Sequence, residues 1–234
     1  MELNISNGIF PGLNDKEGIM LCGYEWGDPK NNEVGLRKTG VIEHSTDISK
    51  TDVAFTCKER YFGPIANEWP YDQKIKDWFR LWGHELNSLE AGNFEKTIVQ
   101  TNWCNTQARN TNGNIFLMLL KPEQIDNFIY HVNKFKPYLL LFFGSVSIKC
   151  LQNERVLGRF IEIMGPITEP LKLVQKEFPG KKFNIGFQNF ANCKVVSLPH
   201  PSGSHGITGA YISLFSPEIG PLIAEVKRRK GIVD

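Results

Sequence analysis

No stretch of this chain reaches the roughly 18 uninterrupted apolar residues of a membrane span, and its opening, MELNISNGIF, has no basic segment leading into an apolar run. A cytoplasmic protein without a membrane partner is therefore expected. Paired cysteines are missing too. Cys22, Cys57, Cys104, Cys150 and Cys193 are an odd number at wide intervals with no CxxC. They read as reduced, mostly buried thiols, which argues against a zinc or iron–sulfur site, and no metal is expected. Neither GxGxxG nor GxxxxGK occurs, which removes the phosphate loops that a doubly wound nucleotide enzyme would carry. An excess of either charge is also lacking: 27 Lys and Arg against 25 Asp and Glu leave +2. A polyanionic partner is compatible with that balance, provided one face concentrates the basic groups. There is no internal repeat and no low-complexity segment.

What is present supports one large core. Hydrophobic residues make up 41% of the 234, so a single domain spanning 1–234 is expected. Residues 17–23 (EGIMLCG), 94–102 (FEKTIVQTN), 138–143 (YLLLFF) and 195–198 read as buried strands. Helical spacing places Ile75, Trp78, Phe79, Trp82 and Leu86 on one stripe over 71–87. It does the same for Ile125, Phe128, Ile129, Val132 and Phe135 in a helix opened by Pro122 and stopped by Pro137. Two further helices are read at 146–151 and 217–230, the last ending in KRRK. Strands alternating with helices predict an α/β fold with a parallel sheet. Residues 31–70 are polar and turn-rich, a connection long enough to be functional, with Phe55 and Phe62 as aromatic exceptions. Residues 155–192 yield only one candidate strand, FNIGF, with Pro166, Pro170 and Pro179 expected to break anything longer.

The chemistry concentrates where strands end. The run KVVSLPHPSGSHG passes from apolar strand to His200, bracketed by Pro199 and Pro201, and then to Ser202, Gly203, Ser204 and His205. Each proline fixes its own φ and keeps the preceding residue extended, so the imidazole is held at a strand's end. The hydroxyls, glycines and backbone N–H groups behind it suit close approach to a phosphate. A proline-rich turn with an incidental histidine is the bland reading. The first strand ends in Gly23, Tyr24, Glu25, Trp26 and Gly27, which puts a carboxylate at the edge where open α/β sheets bind ligands. The second ends in Asn102, which starts a turn or reads the edge of a base, since one amide both donates and accepts. The third ends in FFGS, closing on Ser145.

These four strand ends, GYEWG, TNWC, FFGS and LPHPSG, in this order and with an aromatic loop between the first two, resemble the uracil-DNA glycosylase superfamily over residues 18–207. The resemblance implies a three-layer α/β/α fold around a central four-stranded parallel sheet. It further implies a monomeric, cofactor-free DNA N-glycosylase of base-excision repair. Carried over, Gly23, Tyr24, Phe62 and Asn102 would line the base pocket, with Phe62 stacking on the base or Phe55 taking that place. Glu25 would hold or deprotonate the water and His200 would donate to the leaving base. Ser145, Ser202, Gly203, Ser204 and His205 would contact DNA, with His205 or Ile207 filling the vacated stack. This chain departs from the family in the first motif, where Tyr24 stands in place of Gln or Glu and Trp26 in place of a frequent proline. Gly27 replaces a tyrosine that excludes 5-methyl groups, which implies a roomier pocket. The alternative is a protein of the same fold that binds nucleic acid or a nucleobase with little or no turnover.

Overall fold

The computed structural model describes residues 14–27, 53–55, 68–87, 92–108 and 114–232. The first strand, β1 (Ile19–Gly23), is buried along its whole length. β2 (Trp26–Gly27) follows at once, and β3 (Val53–Ala54) emerges from a segment whose sequence reads as loop. Helix α1 (Pro70–Leu81) starts on its proline and buries Ile75, Trp78 and Phe79. It ends six residues short of the span expected from the apolar stripe because Gly83 turns the chain at φ +87°. Leu86 still reaches the core beyond that turn.

A single 3₁₀ turn leads into β4 (Ile98–Asn102), followed by β5 (Gln107–Ala108) and the short α2 (Ile115–Leu119). Helix α3 (Pro122–Phe135) is capped by Lys136 in the left-handed region, just ahead of Pro137. Then come β6 (Leu139–Phe143), α4 (Ser145–Leu151) and α5 (Glu154–Met164). β7 (Ile167–Val174), β8 (Ile185–Phe190) and β9 (Lys194–Leu198) precede α6 (Gly209–Ser213) and α7 (Ser216–Arg229).

The main sheet runs β3-β4-β1-β6-β9-β8-β7, and β2 pairs with β5 in a separate two-stranded ladder. β4, β1, β6 and β9 pair in parallel, whereas β3, β8 and β7 are antiparallel to their neighbours. The α/β class is the one the sequence implied; among the described residues the sheet is mixed and seven-stranded rather than four-stranded and parallel. The difference arises where the apolar signal is weakest. β7 is an edge strand, mostly exposed, and its ladder with β8 shifts register between Glu169 and Lys172. Pro170 falls inside that irregularity, where the missing N–H disrupts little, so proline does not exclude a strand here. The expectation that Pro170 breaks this region is corrected by β7, whereas Pro166 and Pro179 do fall between elements and the candidate strand FNIGF overlaps β8.

Side chains alternate across the central strands and build two cores. Ile19, Leu21, Leu139, Leu141, Phe143, Val196 and Leu198 face α1, α6 and α7. Met20, Cys22, Leu140, Phe142 and Val195 face α3, α4 and α5. The sheet thus lies between two helical layers, which leaves the carboxyl ends of β4, β1, β6 and β9 at one rim. Cys22, Cys104, Cys150 and Cys193 are buried free thiols, and no helix among the described residues is long and apolar enough to cross a membrane.

Candidate functional site

Parallel pairing fixes which residues share the rim. Gly23 lies beside Asn102 in the β1–β4 register, and Phe143 lies beside Leu198 in the β6–β9 register. His200 therefore leaves β9 two strand spacings from β1, roughly 10 Å. Tyr24 spans that gap. Its ring stacks against His200 with centroids 5.9 Å apart and planes 19° apart, and its hydroxyl accepts a hydrogen bond from the Val146 backbone N–H at 2.9 Å. Between the two strands lies Gly144, at φ +141°, where any Cβ would overlap the Tyr24 ring and hydroxyl. Glycine is required there both for the backbone conformation and for the passage of the ring. Burial pushes the Tyr24 phenol up to about 12.

The imidazole of His200 is oriented by its own loop. The Gly203 backbone N–H donates to Nδ1 at 3.0 Å, and Ser202 Oγ lies 3.2 Å from the same nitrogen. A ring nitrogen that accepts an N–H carries no proton, so the neutral ring holds its proton on Nε2, available as a donor. Burial lowers the His200 pKa from 6.5, which reinforces the neutral form. The loop is fastened from outside: Lys74 Nζ on α1 donates to the Pro201 carbonyl at 2.9 Å, and Lys181 Nζ donates to the His205 carbonyl at 3.0 Å.

Asn102 is buried with its side-chain Oδ1 crowding the Cα of Gly23. Its backbone carbonyl and that of Trp103 both accept from Nδ2 of Asn127 on α3, at 3.2 and 3.0 Å. Glu25 is carried elsewhere. Its Oε2 accepts from Thr106 Oγ1 at 3.0 Å, beyond the exit of β4 and on the far side of β1 from His200. The Cys104 thiol is pushed up to about 12, chiefly by burial and then by the Glu25 carboxylate.

Of the residues singled out in the sequence, Gly23, Tyr24, Asn102 and His200 converge on this rim, with Ser145 exposed beside Gly144. Glu25 shares the strand end but turns toward Thr106. Ser202, Gly203 and His205 are exposed and Ser204 is half-buried. The N–H groups of Gly203 and Ser204 turn inward onto His200 Nδ1 and the His200 carbonyl, so the loop offers a phosphate its hydroxyls rather than those amides. Phe62 lies outside the described residues. Phe55 is fully buried in the core on the α1 side of the sheet, and Ile207 is buried in the same core. Neither is exposed to stack on a ligand or to enter a duplex, because both pack inward against the sheet.

Three contributors escaped sequence reasoning. Gly144 stood only within the FFGS strand end, and Lys74 was not singled out. Tyr71 shares the apolar stripe of α1, and only its polar tip distinguished it from core. Its ring contacts His200, with centroids 5.4 Å apart, and packs edge-on against Phe143 at 6.0 Å. Among the described residues, no cluster of three or more His, Cys, Asp or Glu could hold a metal ion. A scan against protein-family models finds no family that matches this chain, and a search of curated proteins finds no matching relative.

Proposed function

We propose that this protein is a DNA N-glycosylase of the uracil-DNA glycosylase type, with the fold of that superfamily, which removes uracil or a related deaminated or damaged base after the nucleotide is flipped from the duplex. The observation that carries the reading is the Gly203 N–H bond to His200 Nδ1, which leaves an Nε2–H donor at a sheet rim shared with the Asn102 amide. Cleavage breaks the N-glycosidic bond, the base leaves with the bonding pair as an anion, and the sugar carbon gains oxocarbenium character before water adds. His200 Nε2–H donates to a carbonyl oxygen of the base and stabilises the developing anion. Asn102 reads the edge of the base. Glu25 receives the proton of the water, and for this its carboxylate must exchange the Thr106 hydroxyl for that water. Gly23 lets the Asn102 amide that reads the base lie close against β1, Tyr24 and Phe62 supply flat surfaces, and Ser145, Ser202, Gly203, Ser204 and His205 face the flanking DNA. The protein acts as a monomer without a cofactor.

The placement of Tyr24 favours a second reading, in which the same rim binds a base or a nucleic acid without turnover. Its ring lies on His200 and covers Gly144, so a base reaches the imidazole only when Tyr24 moves aside. Oligonucleotides carrying uracil, a thymine mismatch, hypoxanthine or ethenocytosine separate the two. After incubation with the protein and treatment with alkali, scission at the modified position is the expected result. Selective binding without scission on every substrate would establish the second reading, and absence of both would remove the two together.

A further inference from the structure

Tyr71 carries the feature least explained by folding alone. Its hydroxyl oxygen is buried and has no hydrogen-bond partner. Buried hydroxyls are nearly always bonded, so an orphan calls for a reason. The ring is not free to swing the hydroxyl into water, because it is wedged edge-on against Phe143 and tilted against His200. The hydroxyl points to the exit of β1, 3.3 Å from where a Gly23 Cβ would stand, at the same spot that Asn102 Oδ1 crowds. One side chain thus reaches from the imidazole to the amide across the rim. Burial, and after it the Asp72 carboxylate, keeps the phenol protonated well above its ordinary range.

We propose that the Tyr71 hydroxyl is a base-reading contact which, once Tyr24 has withdrawn, donates a hydrogen bond to a carbonyl oxygen of a pyrimidinedione held between Asn102 and His200. The inference rests on the nucleobase reading of the site. An imide edge presents acceptor, donor and acceptor in sequence. His200 Nε2–H and the Tyr71 hydroxyl supply the two donors, and Asn102 Oδ1 supplies the acceptor. Gly23, lacking a Cβ, lets Asn102 Oδ1 lie against the exit of β1 beside the Tyr71 hydroxyl, which sets acceptor and donor side by side. The resting position of Tyr24, bonded to Val146 and laid on His200, covers the approach and accounts for an unbonded hydroxyl in the free protein.

The test uses free uracil as the probe, with wild type, Tyr71→Phe, Tyr24→Ala and the double variant followed by ligand-dependent melting. Phenylalanine keeps the ring and removes only the orphan oxygen, so unliganded Tyr71→Phe is expected to melt about 2–4 °C above wild type. Its affinity for uracil is expected to fall about tenfold. Tyr24→Ala, which uncovers the site, is expected to bind uracil more tightly than wild type, and adding Tyr71→Phe is expected to remove that gain. A Tyr71→Phe protein that melts lower and binds uracil as wild type does would overturn the proposal and make the hydroxyl structural. If wild type and Tyr24→Ala both ignore uracil and every modified oligonucleotide, the nucleobase reading itself falls. The unmutated Tyr71 in those two proteins distinguishes that failure from one confined to the hydroxyl.

Discussion

Replacing His200 with alanine is expected to slow base release by about 10²–10³-fold under single-turnover conditions, the usual effect of removing one donor aimed at a developing anion. The substitution removes the single Nε2–H donor without touching the strand that carries it, because Pro199 and Pro201 remain to direct the loop. Acid should reproduce part of the loss in wild type. Protonation puts a hydrogen on Nδ1, where it faces the Gly203 N–H, so the imidazolium must break the bond that orients it. Burial lowers the folded-state pKa from 6.5. The stability gained by keeping the ring neutral is therefore complete above pH 6.5 and is lost as the pH falls through the lowered folded value. The acid limb of the pH–rate profile should accordingly lie below pH 6.5. A limb above that pH, or a His200→Ala protein as fast as wild type, would mean that the imidazole does not act as the donor.

Phe128→Ala carries the largest expected effect on stability, about 3–5 kcal/mol. Its ring lies at the centre of a stack, 4.0 Å from Trp103 and 6.1 Å from Phe160 with planes 2° apart in both pairs, and it is tilted on Phe142 at 5.8 Å. All four rings are buried, so the void left by alanine could fill only by moving strands or helices. Domains are typically stable by 5–15 kcal/mol, so the change consumes a large fraction of the total. It should appear as a lower urea midpoint at unchanged slope. A midpoint corresponding to less than about 1 kcal/mol would show that the α3 face is less tightly packed than its ring stack implies. The effect should extend to the site, since Trp103 directly follows Asn102 and its indole N–H donates to the Leu119 carbonyl at 2.9 Å.

The legible parts of the fold are those where one physical signal acted alone. Leu139–Phe143 is apolar without interruption because both of its faces are buried, and it forms the strand its pattern predicts. Pro122 and Pro137 bracket α3 through backbone restrictions that need no tertiary partner. β7 was hidden because an exposed edge strand need not alternate, and β3 because a two-residue strand is chosen by its neighbour β4 rather than by its own sequence. In the site, His200 stood out because prolines flank it. Tyr71 did not, because a residue at core spacing reveals a second use only when its hydroxyl is seen without a partner. Glu25 was placed on the right strand end, but nothing local to GYEWG encodes its bond to Thr106, 81 positions away.

The ammonium of Lys74 on the Pro201 carbonyl couples two distant parts of the chain. Lys74 and Tyr71 are three residues apart, hence neighbours on one side of α1, and each reaches the His200 segment. A small rotation or slide of that single rod would re-aim the imidazole and shift the phenol together. In the proposed glycosylase, base preference and donor alignment would be geared to one lever, and substitutions beneath α1, remote from the base, would retune both at once.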